Sequence, residues 1–242
     1  MAGLIEIASK VIGVSEQRLE LVSRNISNAS TPGYKAQQTF PALVQPGLSG
    51  NTGIKALGAD TSGPEAVADF SQGVLSDTGR PLDIAIAGDG FFRVGSSDGE
   101  YLTRQGHFER SPDGRIRTLQ GLVLKDASGD DLMLSSDQVE ILPDGTVIEA
   151  GRPVARIGLF VADEPRSLVP AGGSLFSVAP GSAVRAAEPV LHQGMIEGAN
   201  VSVAEQMLEL SKAVRQAETG ARLVQVYDGL MGQAISTFGQ KG

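Results

Sequence analysis

The chain has 242 residues, with 20 Lys plus Arg against 28 Asp plus Glu and a formal net charge of −8. That argues against nucleic acid as a partner, because neutralising phosphate needs a surplus of basic side chains on one face. There is no cysteine, so disulfides, thiolate metal sites and cysteine nucleophiles are excluded together. His107 and His192 are the two histidines, too few for a His-based metal site or triad. Hydrophobic residues make up 41% and aromatics 5%, while 31 glycines come to about 13% of the chain against a usual ~7%. This is a globular composition, packed with small aliphatic side chains and rich in turns. Glu6 and Lys10 interrupt what would be the apolar run of a secretory leader, so no cleaved signal is expected. The uncharged stretch 167–184 is broken by Pro170, Gly172, Gly173, Pro180 and Gly181, so no membrane insertion is expected. The N-x-S triplets at Asn25, Asn28 and Asn200 are read as chance matches.

At the N-terminus, Ile5, Ala8, Ile12, Ser15, Leu19, Val22, Ile26 and Ala29 recur at alternating intervals of three and four residues, a heptad seam with Ser15 its one polar member. The helix is expected to stop at Ser30-Thr31-Pro32-Gly33, where proline restricts the preceding residue and glycine accepts the turn. The stretch 36–75, rich in Gly, Pro, Ser and Thr, reads as an extended connector. Short β-type runs follow at 82–86, 91–94, 101–104, 115–118, 139–142, 146–149 and 155–161, punctuated by Asp-Gly pairs at Asp89, Asp98, Asp113 and Asp144. These pairs supply the positive φ of tight turns, so a meander of hairpins is expected over 76–190.

The C-terminal stretch repeats the helical pattern: Val203, Met207, Leu210, Val214, Ala217, Ala221, Val224, Asp228, Met231, Ile235 and Phe238 alternate by four and three, Asp228 being the exception. Ser202 and Glu205 have the spacing of a capping box. Residues 1–35 hold four basic and three acidic side chains, and 201–242 four of each, which leaves −9 on the middle of the chain. The expected fold is α+β: long N- and C-terminal helices forming a coiled-coil-like pair, with a central, mainly antiparallel β domain. The expected divisions are 1–35, 36–75, 76–190 and 191–242. Two seams on one hairpin leave apolar surface over, so the helices are expected to order fully in an assembly of identical subunits. A helical pair closing a monomer is the plainer alternative.

Three stretches resemble the bacterial flagellar rod, hook and hook-associated axial proteins. Residues 23–35 (Ser-Arg-Asn-Ile-Ser-Asn-Ala-Ser-Thr-Pro-Gly-Tyr-Lys), which include Asn25, Asn28, Thr31, Pro32, Gly33 and Tyr34, are similar to that family's N-terminal signature. Residues 81–92, with Leu82, Asp83, Gly88, Asp89, Gly90, Phe91 and Phe92, resemble the central motif of its rod and hook members. Residues 194–201, with Glu197, Gly198, Asn200 and Val201, are similar to the segment that opens the family's C-terminal helix. Length and a single modest β domain resemble the rod proteins rather than the longer hook protein. Departures in the C-terminal helix favour the proximal-rod type over the distal-rod type.

The resemblance implies a non-enzymatic subunit without cofactor or metal. It implies export through the flagellar type III apparatus, and helical polymerisation with other rod subunits into a torque-transmitting shaft across the periplasm. The seam residues named above would form the assembly interface, and Asn25 to Tyr34 would shape the exit from the inner helix. Two other classes are the alternatives. A secreted β-domain binding module with dimerising helices would need an aromatic platform, which 3 Tyr, 8 Phe and no Trp scarcely supply. A carboxylate hydrolase or calcium site is opposed by the Asp-Gly pairs, which fit turns and not a calcium loop. Asp130 and Asp131, being adjacent, would point to opposite faces of a strand.

Overall fold

The computed structural model describes residues 2–39, 66–96 and 99–239, with side chains at 5–38, 66–96 and 99–232. Of the connector 36–75, residues 40–65 lie outside the described residues, as do the side chains of the expected seam residues Ile235 and Phe238. The chain divides into two compact units: residues 1–26, 37–67 and 202–242 form one, and residues 27–36 and 68–201 the other.

The first unit is built on helix α1 (Ala2–Ser27) and helix α2 (Val203–Gly239). Their 26 and 37 residues correspond to about 39 and 55 Å at ~1.5 Å per residue. On α1 the apolar seam lies on the covered side: Ala8 and Val22 are buried, Ile12, Leu19 and Ile26 partly so, and Ile5 is exposed. Ser15 is fully buried because its hydroxyl donates to the Val11 carbonyl at 2.8 Å, one turn back. No helix among the described residues is long and apolar enough to cross a membrane.

On α2 the covered line is not the expected one. Gln206 is partly covered and Ala213 and Gly220 are buried, each one residue before the expected seam positions Met207, Val214 and Ala221, which are exposed. Val203 and Met231 are exposed as well, and only Leu210, Ala217 and Val224 of that seam are partly covered. A coiled-coil-like pair of seams is therefore not what the structure shows, although the α+β class stands. A Cβ built on Gly220 would lie 2.7 Å from Ile12 Cγ1 and 3.4 Å from the Ala8 carbonyl oxygen. At such an approach the contact takes alanine and glycine, whereas knobs-into-holes packing needs bulky side chains from both helices.

The second unit is β-rich, and its strand pairings are antiparallel. Its main sheet has the strand order Leu168–Gly172, Leu175–Val178, Gly99–Thr103, Phe91–Ser96, Val123–Leu124, Ile116–Thr118, Phe108–Arg110. The strand Leu159–Ala162 joins both Phe91–Ser96 and Val184–Ala187. Val139–Ile141, Thr146–Glu149 and Arg152–Arg156 make a separate three-stranded sheet. Strands Ile84–Ile86 and Leu191–Gln193 pair, as do Leu75–Asp77 and Met195–Glu197.

The expected run 155–161 is divided here: Arg152–Arg156 and Leu159–Ala162 belong to different sheets. Gly158 sits between them, where a Cβ would lie 2.8 Å from Ala127 Cα. Side chains alternate across a strand, and the pair Phe91-Phe92 uses this to serve two cores. Phe92 and Val94 are fully buried with Phe108, Ile84, Ile86, Leu124 and Leu191. Phe91 joins Leu102, Phe160 and Phe176, and Phe70 meets Phe91 and Phe176 edge-on at 5.5 and 5.3 Å between centroids.

Substituting valine at Gly220 should destabilise the helical unit by about 1–3 kcal/mol, as overpacking does. Alanine at Gly232, which has nothing within 4 Å among the described residues, should instead stabilise the helix by up to ~1 kcal/mol. Thermal melts followed by far-UV circular dichroism would compare the two.

Candidate functional site: one carboxylate joining distant segments

Glutamate and lysine are almost never fully buried unless paired, and the β-rich unit buries one of each together. Glu197 ends the strand Met195–Glu197. Its Oε1 accepts from Lys35 Nζ at 2.5 Å and from the Gly73 amide at 2.8 Å, and its Oε2 accepts from Arg104 Nη1 at 3.2 Å. The side chains of Lys35 and Glu197 are 0% exposed and that of Arg104 is 3%. Two cations and one anion leave a buried net charge of +1; main-chain oxygens take up part of the excess, and Arg104 Nε has no partner among the described residues. Lys35 Nζ also donates to the Ser71 carbonyl at 2.7 Å, and Arg104 Nη2 donates to the Gly88 carbonyl at 2.8 Å. The Arg104 guanidinium lies 5.2 Å from the centre of the Phe91 ring. Burial pushes the Lys35 ammonium below its ordinary pKa of 10.5; the bond and charge of Glu197 oppose that shift, and the Arg104 charge adds to it.

Backbone contacts tighten the same junction. The Gly33 amide donates to the Glu197 carbonyl at 2.8 Å, and the Gly198 amide to that of Val74 at 2.9 Å. Asn200 Oδ1 accepts from the Ala36 amide at 2.7 Å, and its Nδ2 donates to the carbonyls of Asp69 at 2.8 Å and Ser71 at 3.1 Å. Gly33 has φ 69°, and a Cβ there would sit 2.3 Å from the carbonyl carbon of Arg104. Gly106 is tighter still, with a Cβ position 1.8 Å from the Ile84 carbonyl oxygen. At both positions another chain segment occupies the space of a side chain.

The residues singled out in sequence are distributed as follows. Tyr34, Leu82 and Asp83 are buried and Asp89 is exposed in its turn; Gly88 and Gly90 carry φ of 90° and 123°. Asn28 accepts from the Thr31 amide through its carbonyl and from the Thr31 hydroxyl through Oδ1, at 2.9 and 3.2 Å; beside it Ala29 and Pro32 are partly covered. Val201, after Asn200, is partly covered too. His107 Nδ1 stands 2.9 Å from the buried Asp83 Oδ1. Asn25 belongs to the helical unit: its Nδ2 donates to the Gln37 carbonyl at 2.8 Å and to Gln206 Oε1 at 3.0 Å, while its Oδ1 accepts from the Gln37 amide at 2.9 Å. At the start of α2 only the hydroxyl half of the expected capping box is made, with the Glu205 amide 3.4 Å from Ser202 Oγ.

Of the Asp-Gly acids, Asp113 and Asp144 serve turns, and Asp98 lies outside the described residues. Asp144 accepts from the Thr146 amide and hydroxyl, each at 3.0 Å, and these bonds hold its carboxyl below the usual range. Asp131 pairs with Lys125 and Arg115. Among the described residues no three His, Asp or Glu side chains converge in a way that could hold a metal ion. Sequence reasoning did not single out Arg104, Gln206 or Gly106. The one visible hint was Glu197, the single charged residue of the segment 194–201.

Comparison with known proteins gives the family. Residues 85–149 match the flagellar hook protein FlgE/F/G D1 domain, and residues 192–237 match the flagellar basal body rod FlgEFG protein C-terminal domain. The class is thus that of flagellar hook and rod components. The chain is 30% identical over 241 residues to the flagellar basal-body rod protein FlgF of Caulobacter vibrioides, spanning 95% of this chain and 97% of that protein. With FlgF of Salmonella typhimurium it shares 31% over 242 residues, 92% and 94% of the two chains. With the rod protein FlgG of Bacillus subtilis it shares 25% over 246 residues, 91% and 93%. The chain belongs to the flagellar basal-body rod protein family, FlgF type, and is a structural rod subunit of the flagellum.

Replacing Glu197 with glutamine should cost about 3–5 kcal/mol in chemical denaturation, because it leaves two cations buried without an anion. Lys35 titrates at a lower pH in the folded than in the unfolded chain, so its contribution to stability is fully present above 10.5 and lost as pH falls through the lowered value. Relative to a Lys35→Met variant, the wild type should therefore gain stability as pH rises toward 10.5. A relative loss would show that the ion pair outweighs burial.

Proposed function

We propose that the protein builds the basal-body rod by polymerising helically through its terminal helices, with itself and with other rod subunits, into a shaft that carries torque across the periplasm. It is delivered to that site by the flagellar type III export apparatus, and its role involves no catalysis, cofactor or nucleic acid. In this reading the helical segments 1–35 and 191–242 form the inner part of the rod and the β domain of 76–190 lies outside it.

The observation that carries the reading is the apolar surface left uncovered on α2. Met207, Leu208, Val214, Leu223, Val226 and Leu230 are between 41% and 64% exposed. Complete burial of such a side chain is worth about 1.5–3 kcal/mol, so closing over six half-exposed ones would contribute on the order of 5 kcal/mol to association. Charge favours close repetition, since 201–242 is neutral and 1–35 carries only +1. The family's FlgF- and FlgG-type members are named rod proteins, which supports assembly over a stand-alone binding module.

Cells lacking the chain should lose swimming and rods, and the wild-type chain should restore both. A Met207→Glu/Val214→Glu variant should fold normally by circular dichroism, because both side chains are exposed, yet fail to restore swimming. Full swimming by that variant would exclude this face of α2 from the assembly.

A further inference from the structure

We infer that residues 184–201 are the clasp that closes the β-rich unit: they dock after its hairpins have formed, and the unit stays open until they arrive. Three successive strands of the clasp pair with three different earlier strands. Val184–Ala187 pairs with Leu159–Ala162, Leu191–Gln193 with Ile84–Ile86, and Met195–Glu197 with Leu75–Asp77. The last two pairs are separate two-stranded sheets, so Leu75–Asp77 and Ile84–Ile86 have no other strand partner among the described residues. Single side chains join the clasp to further regions. Gln193 Nε2 donates to the carbonyls of Val139 at 2.7 Å and Pro81 at 2.9 Å, and its Oε1 accepts from the Ile141 amide at 3.1 Å. The Leu191 amide donates to the Pro143 carbonyl at 3.0 Å and the Gly194 amide to that of Asp83 at 2.7 Å. The Leu191 side chain is 1% exposed in the main core.

The other strands of the unit do not need the clasp in order to pair. Phe91–Ser96 with Gly99–Thr103, Phe108–Arg110 with Ile116–Thr118, and Val139–Ile141 with Thr146–Glu149 are all neighbours along the chain. Such hairpins close small loops. The clasp bonds Gln193 to Pro81 across 112 residues and Asn200 to Ala36 across 164, so much chain entropy is lost before any of its contacts offsets the loss. The ion cluster follows the same order. Until Glu197 arrives, burying Lys35 and Arg104 would take two cations out of water with no anion beside them, so both stay hydrated on the open unit. A chain is made from its N-terminus, and 184–201 is the last part of the unit to emerge. On the export reading proposed above, which this inference extends, the clasp thus keeps the unit threadable until nearly all of it has been made.

Refolding and unfolding rates of the full chain test this order. They can be followed by tyrosine emission, since the chain has no Trp and Tyr34 is buried in this unit. Leu191→Ala should speed unfolding by about tenfold or more and leave the refolding rate within about twofold of wild type, as for contacts made after the transition state. Asn200→Ala, which removes no core volume, should speed unfolding by about fivefold with the same unchanged refolding, and it carries the test if Leu191→Ala does not fold. Val94→Ala, in a hairpin strand of the same core, should instead slow refolding by about fivefold. Refolding slowed more than twofold by either clasp variant would place 184–201 in the folding nucleus and overturn the inference. Unchanged unfolding in both clasp variants, or unchanged refolding of Val94→Ala, would overturn it as well. None of these results touches the export reading, whose failure would show separately as wild-type chain retained in the cytoplasm of swimming cells.

Discussion

A single buried carboxylate organises the β-rich unit. Glu197 gathers Lys35, from 162 residues away, Arg104, from 93 residues away, and the Gly73 amide. Taking these charges out of water is costly, and a buried ion cluster is weak evidence for stability as such. Its effect is on which segments must be present for the unit to close. A cation left there without Glu197 would face only carbonyl dipoles, so one carboxylate ties the segment 27–36, the end of the strand Gly99–Thr103 and the strand Met195–Glu197 to each other. The depressed Lys35 pKa is the sign of that compromise, with burial outweighing the attraction of its partner.

Close backbone approach is the second condition of the same junction. Gly33 and Gly106 stand where another segment's main chain fills the volume of a Cβ. The adjacent core adds direction: Phe91 and Phe92 face opposite sides of one strand and anchor two clusters, with Arg104 over the Phe91 ring. Ion cluster, glycines and aromatic pair therefore act on the same few strands. The helical unit follows a different logic. There Asn25 bonds both main-chain groups of Gln37 and reaches Gln206, and small residues on α2 face α1. On α2, polar and small groups make the internal contact, and most larger apolar groups stay exposed.

Much of this was legible in the chain itself. The α1 seam, with Ser15 as its one polar member, lies on the covered side of the helix because a hydroxyl can return its bond to the preceding turn. Runs such as Thr146–Glu149 became strands because Asp144-Gly145 makes a turn in any context, the Asp side chain satisfying the next free amide. The α2 seam was misread for a physical reason. Periodicity reports where apolar residues lie, and it cannot say whether they meet a partner within the chain or are left for another. The run 155–161 was misread because the conflict at Gly158 is with Ala127, about thirty residues away in sequence.

By itself the sequence determined the two long helices, the hairpin-rich middle and three motifs of a flagellar axial protein, because helix periods, turn chemistry and short signatures are local properties. The tertiary structure decided which face of α2 is covered, and that Lys35, Arg104 and Glu197 share one dry site. Those outcomes depend on contacts such as Gly220 to Ala8 and Lys35 to Glu197, between opposite ends of the chain, and no local preference encodes them.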